Sequence, residues 1–586
     1  MKGQFLPGSG RDKNKELKSC ETDYRYLFKP HYKRMSVGIF FKFTGSLMDL
    51  LIPYILAHII DQVIPLKDQS LIYLWGGLMI FVSALGFVFN IIANRLAAMV
   101  GRDATKGLRH DLFKKIVFLS SQQLDELTRA SIISRLTSDT YNIHIMITRI
   151  QRLGIRAPIM ILGGIIITMM MDPVLASILV ATMPIMLFFM VRITRKSIPL
   201  FSKLQRISDH FVRIVREDIS GIRVIKALSK TRDEKQRFDE INTSIYNHEK
   251  KARRNIAALK PLLNISMNLG LVAVIVVGAY LVNNGRSEVG IILAFMTYFT
   301  IILNALMAIT RLFEMITRAT ASASRITAVL NLEEALKLKE NHSETCAAAI
   351  QFSQVSFSYN KKENNLEDLS FTLEKGQTLG IIGETGSGKT TLINLLLRFY
   401  DVDRGTISVD GRSIDSISKD ELYQKFGVVF QNDMIFEDSI EANVKFGRDI
   451  SEADYERAIR CAGAKEFIEK KIGAEKLKIR GANLSGGQKQ RLLIARALAG
   501  NPQILILDDA SSALDYQTDA NFRKALKNEY HQATKIIIAQ RISSIMSADH
   551  ILVLEDGRKI AWGNHDELMR TCSLYQEISA SQMGVG

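Results

Sequence analysis

Residues Ile381 to Thr391 read I-I-G-E-T-G-S-G-K-T-T, an apolar run that breaks into a glycine-rich turn and then a helix. Gly383, Gly388, Lys389 and Thr390 fill every fixed position of the G-x-x-x-x-G-K-[ST] phosphate loop, with Glu384, Thr385, Gly386 and Ser387 forming the turn and Thr391 following it. Small residues let the backbone N–H groups of Gly386 to Thr390 close on the phosphates of a nucleotide, and the next helix aims its positive dipole end at them. Lys389 adds a point charge for the outer phosphates, and the Thr390 hydroxyl is placed to ligate Mg2+. A glycine-rich turn can also be merely structural. The strand before it and the helix after it favour a nucleotide site.

Other residues have the chemistry to complete such a site. Ile504 to Asp509 read I-L-I-L-D-D, a buried strand ending in two carboxylates, Asp508 and Asp509, as a Mg2+ nucleotide site requires. Gln431, at the end of the short strand Gly427 to Gln431, can meet a metal or water with its amide oxygen. Leu484 to Arg491 read L-S-G-G-Q-K-Q-R, in which Ser485 caps a helix and, with the amides of Gly486, Gly487 and Gln488, makes a second anion site or simply a capped helix. Tyr359, at the end of the alternating strand Ile350 to Tyr359, is an aromatic that either stacks on a nucleobase or fills a core.

These residues occupy only the second half of a 586-residue chain, whose apolar content of 47% exceeds that of an ordinary soluble protein and predicts more than one domain. In the first half six apolar segments reach the roughly 20 residues that a membrane-spanning helix needs: Ser36 to Ile60, Leu71 to Val100, Thr140 to Met171, Pro173 to Lys196, Leu262 to Val282 and Val289 to Arg311. Several become polar past the hydrocarbon limit, which predicts helices continuing into water. The short connections carry little positive charge, whereas Gly101 to Thr140 and Arg192 to Lys260 are crowded with Arg and Lys, so the long loops are expected to face the cytosol. Turn signals near their middles, Leu124 to Ala130 and Ser220 to Lys226, could reach a cytosolic domain.

Net charge of +16 is spread along helical segments, which fits flanks of a lipid bilayer and argues against nucleic acid as a partner. Cys20, Cys346, Cys461 and Cys572 are isolated, without metal-binding spacing, as reduced cytosolic thiols would be. Met1 to Lys18 are polar and basic, without the apolar core of a cleavable signal, and Tyr24 to Met35 have the composition of an interfacial helix. Polar residues within the apolar segments are functional candidates because lipid makes them costly: Lys42, Asp49, His58, Asn90, Asn94, Arg95, Asn264, Asn268, Asn304, Arg311 and Glu314. Lys42 and Asp49, seven apart, share a helix face, and Asp49 could attract a cationic solute or pack against a neighbouring helix.

Taken together, the phosphate loop, Gln431, the complete L-S-G-G-Q signature, the strand ending in Asp508 and Ser512-Ala513-Leu514-Asp515 resemble the ATP-binding cassette family in kind and order. The whole chain resembles a half-size type IV exporter. The resemblance implies residues 1–35 as tail and elbow helix and 36–325 as an α-helical transmembrane domain with six spanning helices. It then implies a linker at 326–349 and an α/β nucleotide-binding domain at 350–586. It also implies ATP and Mg2+ as ligands and head-to-tail cassette dimers, each ATP lying between one chain's phosphate loop and the other's signature, with Asp515 near it.

Three departures qualify the resemblance. Asp509 stands where the family usually has a catalytic glutamate, and Gln540 where it usually has a histidine after strand Ile536 to Ala539. Aspartate withdraws its carboxylate by about one C–C bond, roughly 1.5 Å; glutamine can hydrogen-bond a γ-phosphate but carries no charge and exchanges no proton. Lys478-Ile479-Arg480-Gly481 replaces a G-E-R-G often found in exporters. The first two losses fall on this chain's own site while its signature is intact. That asymmetry is similar to the degenerate-site subunit of bacterial heterodimeric multidrug exporters, with a homologous half-transporter as partner and an amphipathic small molecule, drug or lipid, as cargo at the plasma membrane. Two rivals are an ATP-gated regulatory or receptor-like membrane protein and a homodimeric lipid or peptide exporter.

Overall fold

In the computed structural model, residues 29–333, 338, 348–431, 433–471, 477, 481 and 483–583 are described. The tail Met1 to Lys18, residues 24–28 of the interfacial segment, most of the linker and Lys478 to Arg480 lie outside them. The chain divides into two compact units, residues 1–117 with 129–332 and residues 118–128 with 333–586.

Among the described residues of the first unit, six long helices are apolar enough to cross a membrane: Lys29–Leu66, Gln69–Val117, Arg129–Met171, Pro173–Ser220, Thr231–Asn283 and Val289–Leu330. At 1.5 Å per residue a helix of 49 residues such as Gln69–Val117 is about 73 Å long, more than twice a hydrocarbon core of about 30 Å. In Gln69–Val117, Pro173–Ser220 and Val289–Leu330 the continuation beyond the apolar segment is therefore realised as unbroken helix. The short-loop ends are tied by acidic side chains. Asp172 caps Pro173–Ser220 by accepting from Val174 N (2.9 Å) and Leu175 N (3.2 Å), and its other oxygen accepts from the Ser287 hydroxyl at 2.8 Å. Asp61 accepts from Gly290 N at 2.5 Å, where a side chain would stand 2.7 Å from the Ala57 carbonyl. Leu50, Leu175, Val274, Phe295 and Tyr298 fill the interior, and the Tyr298 hydroxyl donates to the Leu50 carbonyl.

The second unit is built on two sheets. Strands β1 (Ile350–Phe357), β2 (Leu366–Leu373), β4 (Arg404–Val409) and β5 (Arg412–Ser413) form an antiparallel sheet in the order β2-β1-β4-β5. Ile350, Phe352, Val355 and Phe357 of β1 point into the core, with the alternation shifted at a bulge where Gln354 takes a φ of 49°. Strands β3 (Thr378–Gly383), β6 (Phe426–Val429), β7 (Ile504–Asp508), β8 (Thr534–Ile538), β9 (His550–Glu555) and β10 (Arg558–Gly563) make the second, ordered β10-β9-β3-β8-β7-β6. It is parallel except for the β9–β10 hairpin. All five residues of β7 are buried, as its continuous apolar run requires.

Sequence and structure differ in three places. Asp433 to Leu477, which the sequence predicts to be largely helical, forms among its described residues three short helices, Ile440–Lys445, Glu452–Cys461 and Lys465–Lys471. Ser439 and Ser451 cap new helices there, and Gly447 and Gly463 take positive φ that ends the old ones. Strand β6 ends at Val429, so Gln431 sits in a turn beyond it. The turn region near Leu124 folds as a helix, Ser121–Leu127, closed by a Ser120–Gln123 capping box and packed with the second unit.

Candidate functional site

The phosphate loop joins β3 to the helix Lys389–Leu396, and its glycines are demanded by what surrounds them. A side chain on Gly383 would meet the Leu554 carbonyl of β9 at 2.1 Å. Gly388 caps the helix at a φ of 97°, where a side chain would also strike the Asn365 carbonyl at 2.8 Å. The Lys389 ammonium donates to the carbonyls of Gly383 (2.8 Å) and Glu384 (2.6 Å), which aims it back over the loop. Burial lowers the Lys389 pKa, opposed by Asp508 and Asp509.

The loop opens onto a cavity of about 480 Å³. Glu384, Thr385, Gly386, Thr390 and Thr391 line it from the loop side, and Gln431, Asp508, Asp509 and Gln540 face them from the ends of parallel strands and the turns that follow. These nine positions, all named from sequence, are thus brought to one concavity at the carboxyl ends of the strands, where open α/β sheets bind ligands. Ser387 is buried beneath the loop, its hydroxyl 3.4 Å from Lys389 Nζ. Burial raises the Asp508 pKa above the ordinary carboxylate range, with the adjacent Asp509 adding to the rise and Lys389 opposing it. Asp509 is raised by burial too, against Arg541 and Lys389. Two neighbouring carboxyls short of positive charge, next to the Thr390 hydroxyl and the Gln431 amide, fit Mg2+ in its usual company of oxygen ligands and nucleotide phosphates.

Asp509 is held firmly. Its φ is 52°, its N–H donates to the Ile538 carbonyl at 3.0 Å, and its own carbonyl accepts from Gln490 Nε2 (3.3 Å) and the Ser512 hydroxyl (3.0 Å). Gln540 Nε2 donates to the Asp509 carboxylate at 3.4 Å.

Other named residues lie elsewhere. Tyr359 is half-exposed, edge-on to Tyr400 with ring centroids 5.0 Å apart, and its hydroxyl accepts from Asn394. Its backbone N–H donates to Asn365 Oδ1, and Asn365 is part of the cavity wall. Ser485 caps the helix Gly486–Ala499 in a box with Gln488, and the signature Ser485, Gly486, Gly487 and Gln488 does not line the cavity. Asp515 does not either; it caps Tyr516–Glu529 by accepting from Thr518 N at 2.9 Å, and that bond lowers its pKa. Cys461 is buried and its thiol is pushed up to about 12, so it is inert.

No motif points to Asn365, Ile578 and Gln582, which also line the cavity. Gln582, on the C-terminal helix Ser573–Met583, donates to the Gln540 carbonyl at 2.6 Å and accepts from Ile542 N at 2.8 Å. It arrives from far along the chain with no motif around it.

Fold and site together define a membrane-spanning P-loop ATPase. Residues 35–306 match the family described as ABC transporter transmembrane region and residues 366–512 the family described as ABC transporter. The chain is 35% identical over 562 residues to the ABC transporter ATP-binding protein YfiB of Bacillus subtilis (strain 168), covering 95% of this chain and 98% of that one. It is 31% identical over 520 residues to YheH of the same organism, described as a probable multidrug resistance ABC transporter ATP-binding/permease protein, covering 88% and 77%. A solved bacterial Atm1-family ABC exporter with ATP bound superimposes with a TM-score of 0.79 at 25% identity, over 94% of this chain and 98% of that one. The chain belongs to the ABC transporter family, as a half-size exporter that couples ATP hydrolysis to transport.

Proposed function

We propose that this chain is one subunit of a heterodimeric exporter of amphipathic compounds, drugs or lipids, in a plasma membrane, with its amino terminus and cassette in the cytosol. Its own ATP site is slow and acts as a long-lived clasp; its signature completes the partner's working site. The carrying observation is the fixing of Asp509. Backbone bonds on both sides of this residue leave it no shift by which to recover the reach of a glutamate, and misplacement of about 1 Å costs on the order of a hundredfold. Gln540 occupies the carboxylate's free face and supplies no exchangeable charge.

In this reading the loop amides and Lys389 hold the phosphates, and Tyr359 stacks on the base beside the cavity. Thr390, Gln431 and Asp508 would hold Mg2+, which when bound offsets phosphate charge. Ser485 to Gln488 present a capped helix end to the nucleotide of the partner. The tip Gly221–Leu228 supports a dimer as well. Ile222, Val224 and Leu228 are exposed on it, apolar surface that a second cassette would cover.

The test is ATPase activity of this chain alone and with its partner, comparing wild type with Asp509→Glu plus Gln540→His and with Ser485→Ala. The reading requires a nearly inert single chain, an active pair, and loss of most of that activity on Ser485→Ala. Strong turnover by the isolated chain, unaffected by the double replacement, overturns it.

A further inference from the structure

The transmembrane unit holds a second cavity, of about 370 Å³, between the helices carrying Asp49, Arg156 and Asn304. That volume lies at the low end of small-ligand sites. At 1.5 Å per residue, Arg156 is about 22 Å along its helix from Met171 and Asp49 about 18 Å from Asp61, both within a hydrocarbon core of about 30 Å and toward the long-loop end. Apart from these polar groups the wall is apolar: Leu153, Ala157, Met160 and Ile301.

The charges there are not balanced. Asp49 is already engaged by Arg156 Nη2 at 3.0 Å and faces Asn90 Nδ2 at 3.4 Å. Lys42, buried, donates to Asn90 Oδ1 at 2.7 Å, and Arg152 donates to Asn94 Oδ1 at 2.9 Å, so both hold neutral amides. Lys42 feels Arg152 and Arg156 as well as Asp49. Three cations thus share one carboxylate at membrane depth, where unneutralised charge is costly. Asp49, the one acid among the described residues that line this cavity, is spent on Arg156.

We propose that this cavity takes the anionic head group, carboxylate or phosphate, of an amphiphile, with the guanidinium of Arg156 as its hydrogen-bond donor and the apolar wall against its tail. Rested on the exporter reading, this makes the cargo class acidic amphiphiles in preference to cations. The head group can belong to a soluble amphiphile or to an acidic membrane lipid.

The experiment uses the purified transporter in phosphatidylcholine nanodiscs. ATPase stimulation and melting shift are read for dodecanoate against dodecylammonium at equal sub-micellar concentrations, with phosphatidylglycerol nanodiscs as a separate arm. Dodecanoate should stimulate turnover, normalised to each preparation's basal rate, and raise the melting temperature, while dodecylammonium does neither. Arg156→Gln should raise the half-maximal dodecanoate concentration about tenfold, and Arg156→Lys should keep most of the response and attest an intact fold. Stimulation by phosphatidylglycerol without dodecanoate assigns the head group to lipid; its absence assigns a soluble amphiphile. Equal or stronger response to dodecylammonium, or an Arg156→Gln response like wild type, overturns the proposal. Absence of ATP turnover in a preparation that holds this chain together with its partner defeats the exporter reading, and there the melting shift still decides the anion preference.

Discussion

Gln540 Nε2 meets the Asp509 carboxylate at 3.4 Å, so the two residues that depart from the usual hydrolytic pair of this family form a pair of their own. Replacing them separately leaves a mismatched partner each time. Asp509→Glu with Gln540→His is therefore expected to raise single-turnover ATP hydrolysis at this site about ten- to a hundredfold, with either single change giving much less. The gain has a cost, because a φ of 52° suits aspartate better than glutamate, and the double variant should melt a few degrees lower. Unchanged hydrolysis would place the slow step outside this pair.

One replacement can separate the cap that Ser485 makes from the partner-site role proposed for it. Its hydroxyl accepts from Gln488 N at 3.3 Å and caps a 14-residue helix. Ser485→Ala should lower stability by about 1 kcal/mol. Ser485→Asp keeps the cap but places negative charge where the partner's phosphates would lie, so its melting temperature should match wild type while the pair's ATPase activity is lost. If activity survives Ser485→Asp, the signature does not serve a nucleotide.

Much of this architecture can be read from particular residues. The apolar lengths reveal all six spanning helices because lipid allows few other solutions, and the phosphate loop reveals itself because only glycine fits beside Leu554 and Asn365. The breaks at Ser439, Gly447 and Ser451 are less legible, since caps compete with helix-forming composition over single residues. Gln582 is not legible at all: its place beside Gln540 depends on a helix that returns from 42 residues downstream. Likewise the spacing of Lys42 and Asp49 indicates a shared face, while their partners Asn90 and Arg156 come from two other helices.

Asp508 carries its charge at a cost. Burial and Asp509 raise its pKa, so the folded state holds its proton to higher pH than the unfolded chain does. Stability from that protonated form is full below the unfolded value near 3.9 and is lost as pH rises through the raised folded value. Without nucleotide, Asp508→Asn should accordingly raise the melting temperature at pH 7 and flatten its fall from acid to neutral pH. The same variant should abolish the melting shift produced by MgATP. In wild type, MgATP affinity should weaken on acidification at a higher pH than an ordinary carboxylate would dictate.

The Tyr400 hydroxyl donates to Asp125 Oδ2 at 2.5 Å within the nucleotide-binding unit. Asp125 lies on the helix Ser121–Leu127, which the chain inserts between the spanning helices Gln69–Val117 and Arg129–Met171. Burial and the Asp125 carboxylate both raise the Tyr400 pKa, so the hydroxyl remains a donor throughout the physiological range. Tyr400→Phe retains the edge-on ring contact with Tyr359 and removes only this bond. Exposed at Asp125, the bond is worth about 1 kcal/mol, too little to unfold the unit. ATP binding and basal ATPase activity should therefore stay within about twofold of wild type. The number of cargo molecules moved per ATP should fall, because the cassette loses its grip on the segment that continues into the spanning helices. Asp125→Asn keeps an acceptor and should fall less. An unchanged transport-to-ATP ratio in Tyr400→Phe would reduce this contact to ordinary packing.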